Sequence, residues 1–146
     1  MNLKSSMNFD TEILCIDKSG VENKFLYNLE QSDFEQRWIF RIIPAMAEVD
    51  KWFEFAVTKT SNGMGKVTQM THQNMPEYIA KGIPEKMIEE SSSVLNLQVI
   101  SSTNIESAKS FGTEWRTREA TKVWERLVAL GKSVHNTETD IYTYLT

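Results

Sequence analysis

The sequence predicts an α/β fold, a mixed sheet flanked by helices, on three observations. Residues 65–102, GKVTQMTHQNMPEYIAKGIPEKMIEESSSVLNLQVISS, read as strand, tight loop, helix, short loop and strand, a βαβ-like unit. Segments with strand-like alternation lie near both ends of the chain, TEILCIDK at 11–18 and TDIYTYL at 139–145. Between them, Ala120, Val123, Trp124 and Leu127 recur at the three- and four-residue spacing of one buried helical stripe. Terminal strands around a central crossover favour a mixed sheet over a purely parallel one.

The elements follow in order. Residues 1–10 are polar and are expected to be loose and flexible, leaving 11–146 as a single domain, a size that suits one core. A first strand at 11–18 runs into a turn at 17–20. Residues 21–29 fit a strand or a helix. Ser32 and Glu35 have the spacing of a capping box, and Phe34, Trp38 and Ile42 would share a helical face; WIFRII at 38–43 reads equally as a buried strand that Pro44 ends. In DKWFEFAVTK, 50–59, Phe53, Phe55 and Val57 point one way in a strand. Asn62-Gly63 is a hairpin signal, and 67–72 returns antiparallel beside that strand. Leu95, Leu97 and Val99 alternate as a further strand. Residues 103–113 form a polar connection with a short helical turn, over a site or as a surface excursion. Thr117 caps a helix over 119–130 that Gly131 ends.

Composition narrows function. A hydrophobic fraction of 40% and a charged fraction of 25% are those of a soluble globular protein, and no apolar run reaches the roughly 20 residues of a membrane span. The start has no signal-peptide pattern, so the expected location is cytoplasmic, with no membrane partner. A net charge of −4 offers no general attraction to nucleic acid and mildly favours a cationic substrate. Cys15 is the one cysteine, so no internal disulfide forms, and with His72 and His135 far apart no structural metal site is expected.

The chemistry is concentrated at the turn inside the central unit. Pro76 stops a ladder, Gly82 supplies an unusual backbone shape or lets another group approach, and Pro84 suits a first helical turn. The N-terminus of a helix there presents free N–H groups that attract phosphate or carboxylate. Lys81 adds to that pull and Glu85 opposes it. An ordinary loop–helix turn explains the same residues.

The segment PEYIAKGIP, 76–84, resembles the acetyl-coenzyme A binding loop of the GCN5-related N-acetyltransferases (GNAT family), which commonly reads Pro-Glu-Tyr-Arg-Gly-Lys-Gly-Ile-Gly. The resemblance extends to a strand at 96–101, to Ala-Thr-Lys-Val-Trp at 120–124 followed by Gly131, and to a last strand. It covers roughly 50–146, and the first third only by the number of elements. It implies a GNAT-like twisted mixed sheet with splayed central strands. It implies acetyl transfer from acetyl-CoA to a primary amine of a small molecule or peptide. The implied coenzyme contacts are Asn74, Tyr78, Ile79, Ala80, Lys81, Gly82, Ile83, Pro84, Ser101 and Trp124, with Ser102 near the pantetheine path. Three positions depart from the pattern. Ile79 replaces a basic or amide residue, Pro84 removes an N–H, and Trp124 stands where many members have a tyrosine that protonates the thiolate. Those departures motivate the alternative of a catalytically inactive binding protein on the same scaffold.

Direct transfer needs a base for the ammonium proton and donors for the oxyanion, and no covalent nucleophile. Cys15 therefore reads as a buried apolar residue. Glu54 and His72 are the base candidates, each with an ordinary alternative as a solvated or capped side chain. Tyr142, with Tyr144, is an acid or substrate-wall candidate. Glu114, Arg116, Arg118 and Glu119 either grip a polar substrate or form a solvated charged face. The last strand is one that a second copy can pair with or swap, so a homodimer is among the expectations.

Overall fold

Alternation decides the first ladders. In β1 (Thr11–Ile16) Ile13 and Cys15 are buried, and Leu14 and Ile16 are exposed. Asp17 then closes a turn, its Oδ1 accepting from Ser19 N–H at 2.9 Å and Val21 N–H at 3.0 Å. The ambiguous 21–29 segment is a strand, β2 (Glu22–Ser32), in antiparallel register with β1 through Ile13↔Phe25. The segment after it is β3 (Arg37–Pro44), registered through Tyr27↔Ile42 and Leu29↔Phe40. Ser32 is therefore the last residue of a strand and pairs with Arg37, so it does not cap a helix. Its expected partner Glu35 lies outside the described residues. The aromatic and β-branched content of 38–43 completes a ladder with β2, and that pairing overrides a local capping pattern.

The computed structural model describes residues 7–32, 34 and 36–146. The chain continues as β4 (Phe53–Lys59), β5 (Gly65–Thr71), α1 (Ile83–Leu95), β6 (Val99–Ile100), α2 (Arg118–Ala129), β7 (Ser133–Asn136) and β8 (Ile141–Tyr144), with 3-10 turns at Pro76–Tyr78 and Glu106–Ala108. Among the described residues the strands make one eight-stranded sheet, ordered β1-β2-β3-β4-β5-β6-β8-β7. β5 and β6 run parallel and the ladders at both ends are antiparallel. With its two flanking helices this is the predicted mixed α/β architecture. None of the described helices is long and apolar enough to cross a membrane.

Two details depart from the alternation pattern. β4 buries Ala56 along with Phe53, Phe55 and Val57, so both of its faces are covered. Leu95 belongs to α1, not to a strand: Asn96 takes the left-handed conformation (φ +53°) that ends the helix, and β6 keeps only Val99 and Ile100. The second helix matches its sequence signals. Thr117 Oγ1 accepts from Ala120 N–H at 3.0 Å, the predicted stripe is buried, and Lys132 N–H closes on Leu127 O at 2.8 Å beyond Gly131.

The contacts group the chain into two compact units. One holds the chain up to Ala56 together with Gln69–Lys86; the other holds Val57–Thr68 and Met87–Thr146. The first is built on aromatic packing: Tyr27 against Phe40 at 5.3 Å, Phe40 against Phe55 at 6.1 Å, and Tyr78 against Phe53 at 6.1 Å. A smaller cluster joins Phe9 and Ile43 with Met7, Leu26, Val49 and Trp52. The second unit buries Val123, Trp124 and Leu127 of α2 and Tyr142 and Tyr144 of β8, and it also encloses an unusual number of polar side chains.

Candidate functional site

In the first unit the segment that follows β5 is held by side chain and backbone alike. His72 Nδ1 accepts from Asn74 N–H at 2.9 Å. Gln73 and Asn74 are both left-handed, at φ +52° and +59°. Gln73 Nε2 donates to the Trp52 carbonyl at 2.5 Å, and Trp52 Nε1 donates to Glu54 Oε1 at 3.1 Å. Asn74, His72 and Glu54 are thus tied to one frame through Gln73 and Trp52. The Trp52 bond takes one acceptor position on Glu54 and leaves unused acceptor capacity on its half-buried carboxylate.

Tyr78 anchors the loop itself. Its ring is buried between Phe25 and Phe53, and its hydroxyl donates to the Lys51 carbonyl at 2.5 Å. Burial, reinforced by Glu77 and Asp50, pushes its phenol well above the ordinary value, so it stays neutral. Ile79 and Ala80 are exposed, Lys81 and Pro84 are half-buried and Ile83 is buried. Ala80 is left-handed at φ +57°, a conformation that costs an L-residue roughly 1–2 kcal/mol. Gly82 is left-handed at φ +78°, and a Cβ on it would lie 2.2 Å from the carbonyl oxygen of Ile16. Both reasons proposed for that glycine, backbone shape and close approach, therefore apply. The group that approaches is the end of β1. Gly82 O accepts from Lys86 N–H at 3.2 Å and starts α1, with Pro84 in the first turn. Among the described residues no carboxylate pairs with Lys81, which leaves its charge available beside this turn.

The second unit brings Ser101, Trp124 and Tyr142 together. Ser101 N–H donates to Tyr142 O and Tyr142 N–H donates to Ser101 Oγ, both at 2.9 Å. Trp124 stacks on Tyr142 with centroids 6.0 Å apart, and His135 stacks on it at 4.2 Å. The Tyr142 hydroxyl donates to Glu125, and burial together with that carboxylate pushes its pKa up to about 12. The main-chain ladder between β5 and β6 has two rungs, Gly65↔Val99 and Lys66↔Ile100. The next carbonyl on β5, that of Val67, is taken by the Ser102 hydroxyl at 2.7 Å.

Four residues that sequence reasoning did not place in the interior form the polar centre of this unit. Lys66 Nζ meets Glu114 Oε2 at 2.8 Å, with side-chain exposures of 0% and 1%. Arg116 uses every donor it has: Nε to Thr121 Oγ1, Nη1 to the carbonyls of Ser102 and Asp140, and Nη2 to both carboxylate oxygens of Asp140. His135 Nε2 lies 2.7 Å from Asp140 Oδ1. Burial by itself would raise Glu114, but hydrogen bonds from Lys66, Ser110 and Thr103 outweigh it and hold the carboxyl below its usual range. Asp140 is lowered in the same way by His135 and Arg116 against its own desolvation. Glu114 and Arg116 are therefore neither a substrate grip nor a solvated face. Arg118 and Glu119 are exposed. The one sequence signal for Lys66 is its place between Gly65 and Val67 in a strand, and a lysine in such a place ordinarily points to water. Among the described residues no group of three or more His, Cys, Asp or Glu side chains is placed to hold a metal.

The class that this geometry defines is a mixed α/β sheet flanked by helices, consistent with the broad GNAT-like architecture. No protein-family model, curated protein or solved structure matches the chain.

Proposed function

We propose that the chain is an acyltransferase of the GNAT kind, moving an acetyl group from acetyl-CoA to a primary amine of a small molecule or peptide. The observation that carries this reading is the backbone of Ala80 and Gly82. Both residues are left-handed on entry to α1, at two of the three positions where the resembled motif has glycine, and one of them holds that shape despite being alanine. A main chain bent this way turns N–H groups toward an anion, and the unpaired Lys81 ammonium adds charge. Pro84 withholds one donor, which at about 1 kcal/mol per hydrogen bond weakens binding without abolishing it. In direct transfer the amine nitrogen forms a bond to the acetyl carbonyl carbon, the carbon–sulfur bond breaks, and the ammonium proton passes to a base. This reading gives the base role to Glu54, whose carboxylate keeps acceptor capacity beside Trp52. His72 shapes the segment through its bond to Asn74.

A second reading, a binding protein without turnover, is favoured by a separate observation. His72 Nδ1, the Tyr142 hydroxyl and the Trp124 ring are all engaged by Asn74, Glu125 and Tyr142 within the fold. Titration calorimetry with acetyl-CoA and desulfo-coenzyme A separates the possibilities. Saturable heat with both, together with thiol release over a panel of amines, supports transfer. Binding without release supports the second reading. No heat at millimolar ligand removes the transferase reading.

A further inference from the structure

In the second unit, four donors from separate stretches of chain converge on one carboxylate. Lys66 Nζ on β5 and Thr103 N–H beyond β6 both reach Glu114 Oε2 at 2.8 Å. Ser110 N–H and Phe111 N–H reach Oε1 at 2.8 and 3.2 Å. Each oxygen accepts two bonds, which matches the capacity of a planar carboxylate. Glu114 supplies the anion to this arrangement, and its backbone N–H closes the turn on the Phe111 carbonyl at 3.1 Å.

The surroundings make that anion a clasp. On one side Thr103 is fixed by Oγ1 to the Thr139 carbonyl at 2.6 Å; on the other Arg116 is fixed by its five bonds. Between these posts Gly112 and Thr113 are exposed, a Cβ on Gly112 would meet nothing within 4 Å, and Trp115 is 67% exposed. The stretch around residue 114 is therefore held by its carboxylate, by the turn bond to Phe111 and by the Asn104 side chain on the Arg116 backbone at 2.7 and 3.1 Å, with Gly112, Thr113 and Trp115 left open to solvent.

We propose that Lys66, Thr103, Ser110 and Phe111 form a carboxylate-binding site that the chain fills with its own Glu114, so that this carboxylate clasps the 110–114 turn of the β6–α2 connection onto Lys66 of β5 and onto Thr103. The ligand class is a small planar monocarboxylate. Two forked donor pairs suit two coplanar oxygens, and a spherical halide satisfies only one fork. The site makes no use of the acyltransferase reading and stands or falls separately from it.

The test is chemical rescue of Glu114→Ala, which empties the cradle while Lys66 stays on β5 and Thr103 stays bonded to the Thr139 carbonyl. Melting is followed in sodium acetate and in sodium chloride at equal ionic strength. The variant is expected to melt well below the wild type in chloride, and acetate is expected to restore most of the loss with saturation. The wild type should respond identically to the two salts, because its own carboxylate outcompetes the free one. Lys66→Met/Glu114→Ala should lose the acetate response. Equal behaviour of the single variant in acetate and chloride overturns the proposal, as does full rescue of the double variant. If Glu114→Ala is insoluble in chloride, recovery of folded protein on refolding into acetate supports the site. Failure of refolding in both salts counts against it.

Discussion

The two long connections of this chain, 72–82 and 103–117, are stabilised by opposite means. The first is pinned by a buried aromatic ring, by left-handed backbone and by a glycine pressed against the end of β1. The second is pinned by buried charge. Apolar packing tolerates small changes in shape at graded expense, since each lost contact is small. A buried ion pair has no such gradation, because removal of one partner strands the other in a medium that cannot solvate it. The first connection should therefore respond to substitutions by size, and the second by charge.

The largest expected effect tests the charged connection. Lys66→Met leaves the Glu114 carboxylate buried without its cation and should cost about 3–5 kcal/mol in denaturant unfolding. Adding Glu114→Gln to that variant should recover part of the loss. A single variant within about 1 kcal/mol of wild type, the worth of one ordinary hydrogen bond, would mean the pair is solvated. Next is the apolar connection. Gly82→Ala combines a left-handed alanine with a methyl 2.2 Å from the Ile16 carbonyl oxygen. A loss on the order of 2–4 kcal/mol is expected from strain plus overpacking, and an unchanged melting curve would show that β1 does not touch this turn.

Acid should separate the two connections again. Glu114 and Asp140 both titrate below their ordinary values of 4.5 and 3.8 when folded. The unfolded chain then binds more protons at mildly acidic pH. The stabilisation is complete above those ordinary values and is lost as pH falls through the depressed folded ones. Unfolding free energy measured from pH 7 to 3 should decline over that interval, and less steeply in Lys66→Met/Glu114→Gln than in wild type. A parallel decline in both would take Glu114 out of the account. The smallest effect has the opposite sign. Ala80→Gly relieves a left-handed alanine and should stabilise the protein by about 0.5–1 kcal/mol after the added freedom of the unfolded chain is subtracted. Destabilisation by that substitution would mean that the alanine methyl has packing partners.

Local signals were enough for the elements that close on themselves. Thr117, the stripe through Leu127 and Gly131 mark α2 because cap, face and stop all lie within a few turns of one another. The loop 76–84 was equally legible, down to the need for Gly82. The capping-box spacing of Ser32 and Glu35 misled, because a neighbouring strand that begins its pairing at Ser32↔Arg37 offers the backbone a full ladder. Leu95 misled for a related reason: alternation over so few residues does not distinguish a strand from a helix end followed by Asn96.

By itself, then, the chain's order of residues determined the mixed α/β class, the strands at 11–16, 53–59 and 141–144, the second helix and the turn that Gly82 makes. Each depends on neighbours a few positions apart. What only the folded molecule decided is which charges leave water. Lys66 and Glu114 are separated by almost a third of the chain, and a lysine in isolation gives no sign that a carboxylate will come to meet it. Desolvation is a property of everything packed around a group, so it becomes visible only when the distant parts of the chain have met.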